Sequence, residues 1–193
     1  MIAAMLPIHP KWCRLIASGD KYIEVRKRAP RIPTPYKAYL YCTKQKRRED
    51  ALNLPISREE MLRDLEINGM KCMSKYANER VWAECVCDMV RPMLFRCSDP
   101  EAMATHFEVI GTGLSNVEIM DYLGNGKEGY GLHLYGLKIY DRPREITEFR
   151  KICPNSLYCE SCAMYNAHEE TCGNAALILR RPPQSWCYEE EIK

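Results

Sequence analysis

The sequence predicts an α+β domain built on a small, curved or closed antiparallel sheet with peripheral helices. Two observations carry that prediction. About six short stretches read as strands, and Tyr22–Lys27 and Val81–Val90 among them alternate apolar and polar residues at strand period. Between them, helical patterns open on S-x-x-E capping boxes at Ser57–Glu60, Ser98–Glu101 and Ser115–Glu118. The 193 residues, 46% hydrophobic and 28% charged, suit one packed domain with a small appendage.

The elements follow in order. Ala3–Ile8 reads as a strand. Pro10 then suits a first helical turn, Trp12, Leu15 and Ile16 form an apolar stripe, and Gly19 ends the helix. Tyr22–Lys27 alternates, with Glu24 and Arg26 on one face and Ile23 and Val25 on the other. Pro30, Pro33 and Pro35 mark a loop, and Lys37–Thr43 is the next strand. Residues 44–80 read as an insertion: a basic loop, Lys44–Asp50, and a helix from Ser57 closed by Gly69. Val81–Val90 alternates again, with a shorter strand at Met93–Arg96 and a bend or sheet edge at Pro92. Helices are expected from Ser98 through Ile110 and from Ser115 through Tyr122. Tyr130–Tyr140 is a long strand whose Gly131 and Gly136 point to close packing or a bulge. Ala175–Leu179 reads as a last short strand, and Arg181–Tyr188 as an irregular end.

Charge and cysteine narrow the class. Net charge is +2, yet residues 1–50 carry 12 Lys/Arg against 4 Asp/Glu, a basic bias suited to phosphates. No run approaches the ~18 apolar residues of a membrane span, and no signal-peptide pattern stands at the start. The 11 cysteines are an odd count. Together these features predict reduced thiols in a cytoplasmic protein without a membrane partner.

Leu6-Pro7-Ile8-His9-Pro10, the helix, and then Gly19, Lys21, Glu24 and Arg26 in G-x-K-x-x-[E/T]-x-R spacing resemble the start of an ASCH domain. The ending Arg181–Tyr188 is similar to that of longer, phage- and prophage-associated members. The resemblance implies a PUA-like β-barrel over residues 1–150, interrupted by the insertion at about 44–80. Residues 151–193 then form a Cys-rich extension whose final segment packs back on the barrel. Alone, Glu24 and Arg26 read as a surface pair. The resemblance makes them, with Lys21, a charged pocket at the barrel mouth.

It implies a function in binding RNA, single-stranded DNA or a modified nucleoside or nucleotide. The residues assigned to that pocket are Lys21, Glu24, Arg26, Tyr41, Cys42, Gln184, Ser185 and Trp186. Aromatic stacking with amide hydrogen bonds is how an unstacked base is held. A second reading is an amidohydrolase on N-acylated cytidine-type nucleosides, with Lys21 and Glu24 catalytic. In that branch a threonine stands where this chain has Glu24, and a carboxylate beside Lys21 keeps the lysine charged. For the later glutamate of such enzymes the candidates are Glu118 and Asp121. A third reading is a phage-encoded protein acting on host machinery through the 44–80 insertion.

Cys153, Cys159, Cys162 and Cys172 place four thiols within twenty residues, one pair as C-x-x-C. That spacing suits a structural Zn²⁺, with His168 or Cys187 as alternative fourth ligands. Cys13, Cys85 and Cys87 read as buried.

Overall fold

β1 (Ile2–Ile8) and β3 (Tyr36–Cys42) are apolar at nearly every position because both of their faces are covered. In this computed structural model, residues 2–44, 79–94, 110–124, 126–153, 162–166 and 171–191 are described. On one face Ala4, Leu6 and Ile8 meet Ala38, Leu40 and Cys42 beneath the helix α1 (Pro10–Ser18). On the other, Ala3 and Met5 pack with Tyr39, Tyr41, Val81, Phe149 and Leu179.

Four more strands extend this pair: β2 (Ile23–Arg26), β4 (Val81–Leu94), β5 (Glu128–Arg144) and β8 (Cys187–Glu190). Together they make a mixed six-stranded sheet in the order β2-β5-β4-β3-β1-β8. The architecture is α+β as predicted, but the sheet is not wholly antiparallel. β1 and β3 pair in parallel, from Ala4 opposite Ala38 to Ile8 opposite Cys42. A second, two-stranded sheet joins β6 (Tyr165–Asn166) to β7 (Thr171–Cys172).

Local signals explain most of the elements. The His9 ring caps α1 by accepting from Lys11 N, Pro10 opens it, and Gly19 closes it at φ 88°. The helix α2 (Asn116–Leu123) has both arms of its Ser115–Glu118 capping box. Gly136 has φ 62° and lies where the β4–β5 register slips between Glu84 and Val86, so it is the bulge residue.

Three expectations are corrected. Val81–Leu94 is one strand, not two. Pro92 breaks nothing because β3 pairs with β4 only as far as Cys87, so Pro92 faces β5 alone at an edge. Ala175–Leu177 is a 3₁₀ turn capped by Asn174, and Ile178 makes a single bridge to Arg150. The end of the chain, expected to be irregular, instead contains β8, antiparallel to β1 from Met5–Cys187 to Ile2–Glu190. Its acidic residues disguise it, and pairing with β1 overrides that local signal. The helices expected from Ser57 and Ser98, the basic loop beyond Lys44 and most of the 44–80 insertion lie outside the described residues; Ile110 itself is in a turn.

β2 and β8 end the sheet, yet they meet. Strands pack about 4.8 Å apart, so in a flat sheet β2 and β1 would be ~19 Å apart. Arg26 of β2 nevertheless donates to the Pro7 carbonyl of β1 and, at 3.0 Å, to the Ser185 carbonyl just before β8. Trp186 Nε1 donates to the Arg28 carbonyl, and Arg31 N to the Tyr188 hydroxyl. The sheet is therefore curled, and side chains rather than a strand ladder tie its ends.

Candidate nucleotide-binding cleft

The signature residues converge at this tie. Lys21, Glu24 and Arg26 are 2%, 7% and 6% exposed. Glu24 Oε2 lies 3.2 Å from Lys21 Nζ, and Oε1 lies 3.0 Å from Arg26 Nε. Lys21 also donates to the Ile23 carbonyl at 2.8 Å and the Thr112 carbonyl at 2.6 Å. Three acceptors around one nitrogen match the three hydrogens of an ammonium. Burial pulls the lysine below its ordinary pKa, and the neighbouring Glu24 carboxylate opposes that pull.

The Thr112 carbonyl is delivered by a turn that only glycines permit. Gly111 and Gly113 have φ of 80° and 67°. The Gly111 carbonyl accepts from both Tyr22 N and Ile23 N at 2.8 Å. A Cβ on Gly113 would sit 2.9 Å from Leu15 Cδ1 and 3.7 Å from Lys21 Cβ. Sequence reasoning missed this Gly-Thr-Gly turn, although two glycines flanking one residue was a readable signal.

These groups form one wall of a cleft of about 400 Å³. The cleft is completed by His9 and Trp12 at the start of α1, and by Glu118, Asp121 and Tyr122 on α2. Glu118, Asp121 and Tyr122 are spaced i, i+3, i+4, which places them on one helix face, while Ile119 and Leu123 bury the other. Tyr122 is 41% exposed. Among the described residues, three carboxylates thus share the cleft with two cations. The capping bonds from Ser115 hold the Glu118 carboxyl below its ordinary range, so it is an acceptor at neutral pH.

Other assigned residues fall elsewhere. Tyr41 and Cys42 are not cleft residues: β3 lies inside the sheet with both faces covered. Tyr41 packs in the second core, where burial pushes its phenol up to about 12. Cys42 is fully buried in the first core, as are Cys13 and Cys87, with Cys85 nearly so. Ser185 touches the site through its backbone, Gln184 is exposed, and Trp186 lines a neighbouring cleft. Cys153 and Cys172 are half-buried and Cys162 is exposed, while Cys159 and His168 lie outside the described residues. Among the described residues no three His, Cys, Asp or Glu side chains gather as a metal site, and no helix is long and apolar enough to cross a membrane.

Among solved structures, the chain is similar to ASCH from Zymomonas mobilis, with a TM-score of 0.46 and 16% identity over 96% of this chain and 86% of that one. It is similar to the same degree to a serine-to-alanine point mutant of that protein, with a TM-score of 0.46 and 15% identity over 96% and 87% of the two chains. No family model and no curated protein matches the chain.

Proposed function

We propose that this cleft binds the base of a nucleotide. The observation that carries the reading is the meeting of Lys21, Glu24 and Arg26 with the Trp12 and Tyr122 rings and two further carboxylates in one cleft. Aromatic faces take the faces of a base. Carboxylates accept from exocyclic amino groups, as Glu and Asp do with cytosine N4. The excess of carboxylates disfavours a phosphate in the same space. The resemblance of the signature to ASCH domains supports the same reading.

Lys21 is a structural cation in this account. Its three donors are occupied, which leaves no lone pair for attack. The shared cleft with Glu118 and Asp121 is what the amidohydrolase reading has in its favour. A zinc on Cys153, Cys159, Cys162 and Cys172 rests on their spacing. Metal analysis of freshly purified protein tests it: about one equivalent supports the site, and none removes it.

The experiment for the cleft is calorimetry with nucleoside monophosphates and anisotropy with short labelled RNA and DNA strands at low salt. Saturable binding, weakened roughly tenfold by Tyr122→Ala, is expected for one lost base–aromatic stack. The absence of binding to every mononucleotide overturns the reading, with or without binding to a strand. Turnover of N-acetylcytidine that Lys21→Ala abolishes transfers the site to the hydrolase reading.

A further inference from the structure

Beside the first cleft lies a second of about 680 Å³, lined by Lys27, Arg28, Ala29, Pro30, Arg31, Val90, Tyr130 and Trp186. Its charge is the reverse of the first. Among the described residues three cations line it and no carboxylate does. Lys27, Arg28 and Arg31 are all exposed, so their charges are available at the surface. Two aromatic rings, Tyr130 and Trp186, are half-buried in its wall. The Trp186 ring is held by the bond from Nε1 to the Arg28 carbonyl and by Tyr188, whose ring centroid is 5.0 Å away.

The two clefts are adjacent along the chain and in space. Arg26 lines the first, and Lys27 and Arg28 line the second. Lys27 Nζ lies 5.3 Å from the centroid of Tyr122, a ring of the first cleft. Tyr130 is the register partner of Arg26. An acidic, aromatic cleft thus opens beside a basic, aromatic one.

We infer that the second cleft is a subsite for the sugar–phosphate backbone and a neighbouring base of a single-stranded nucleic acid whose target base occupies the first. This rests on the base-binding reading of the first cleft and extends it from a free nucleotide to a strand. A cationic groove that follows the backbone, with rings on which bases stack, is the general design of single-strand binding. The carboxylate excess of the first cleft disfavours the phosphates there, and the basic groove next to it attracts them. Three basic side chains close together in the chain fit successive phosphates of a strand rather than the single phosphate of a mononucleotide.

The test compares the full chain with Arg28→Gln/Arg31→Gln, whose side chains are exposed and outside the first cleft. Each is titrated with cytidine, adenosine and guanosine monophosphates and with RNA and DNA hexamers at several salt concentrations. Each phosphate contact on a single strand contributes ~0.7 to the slope of log affinity against log salt, so the variant's slope is expected to be shallower by about 1.4. Hexamer affinity falls at least tenfold at low salt, while the preferred mononucleotide binds the variant as it binds the wild type. Wild type that binds a mononucleotide as tightly as either hexamer overturns the strand subsite and leaves the first cleft standing. An unchanged salt slope in the variant does the same. Hexamer binding with no mononucleotide binding, or no binding at all, overturns both readings. Preference between the RNA and DNA hexamers identifies which strand the subsite serves.

Discussion

Arg26 Nη2 donates to the Pro7 carbonyl at 2.6 Å, and this bond ties one end of the curled sheet to a strand near the other. The same guanidinium faces Glu24 in the cleft wall. Closure of the fold and formation of the site therefore share one side chain.

Arg26→Met removes the tie, leaves two carbonyls without their donor and takes one of its two cations from the Glu24 carboxylate. Truncating one partner of a buried ion pair costs about 3–5 kcal/mol. Urea unfolding of the variant is expected to show a loss of that size, and a change within about 0.5 kcal/mol, the range of an ordinary surface substitution, contradicts the tie.

Glu24→Gln isolates the effect of the carboxylate on Lys21. Burial already pulls the lysine down, and Glu24 is the leading group opposing it. Without that charge the Lys21 pKa is expected to fall further. Titration of the isotope-labelled lysine side chain by NMR follows it directly. An unchanged or raised value would mean that Glu24 does not hold the ammonium.

Gly113→Ala tests the turn that delivers Thr112. A methyl there meets Leu15 Cδ1 at 2.9 Å on a backbone at φ 67°. A non-glycine residue held in such a conformation costs about 1–3 kcal/mol. Stability measured by thermal unfolding is expected to fall, and nucleotide affinity with it, because the Lys21 anchor shifts. Gly126→Ala is the control: it also has positive φ but is not among the cleft residues, and open space surrounds its Cβ position.

Stability also depends on pH through β8. Glu189 is fully buried, with Cys187 Sγ 2.6 Å from one carboxylate oxygen. Burial raises its carboxyl from 4.5 to about 7; Cys187 and Lys151 oppose the rise, and Glu190 adds to it. Between those values the folded chain keeps a proton that the unfolded chain has lost. This group's contribution is therefore complete below about pH 4.5, declines as pH rises to about 7, and is level above. Denaturation midpoints of wild type and Glu189→Gln are expected to diverge over that window, the variant gaining relative stability as pH rises. Parallel profiles contradict the buried acid.

Much of this is legible in the sequence, for identifiable reasons. α1, β1–β3 and the capping box of α2 are set by short-range signals: a proline at a first turn, a closing glycine, strand alternation, a serine three residues before a glutamate. Those signals also put Lys21 at the turn and Glu24 and Arg26 on one strand face, while their gathering into a pocket is what the resemblance to ASCH domains implies. Tyr41 and Cys42 mislead because period-2 spacing says which residues share a face, not whether that face opens on a cleft. β8 and the Thr112 carbonyl stay hidden because each depends on a partner far along the chain. The α2 face is half visible: Glu118 and Asp121 stand out as carboxylates, but Tyr122 reads as part of the helix's apolar stripe.

The central claim is that the cleft wall of Lys21, Glu24 and Arg26, with Trp12 and Tyr122, holds a base. The most direct measurement is an NMR titration of the full chain with nucleoside monophosphates. The account predicts saturable shifts of the Trp12 indole, the Arg26 guanidinium and the Tyr122 ring, with the buried Trp82 indole unmoved. Saturating nucleotide that leaves the Trp12, Arg26 and Tyr122 signals unchanged would contradict it.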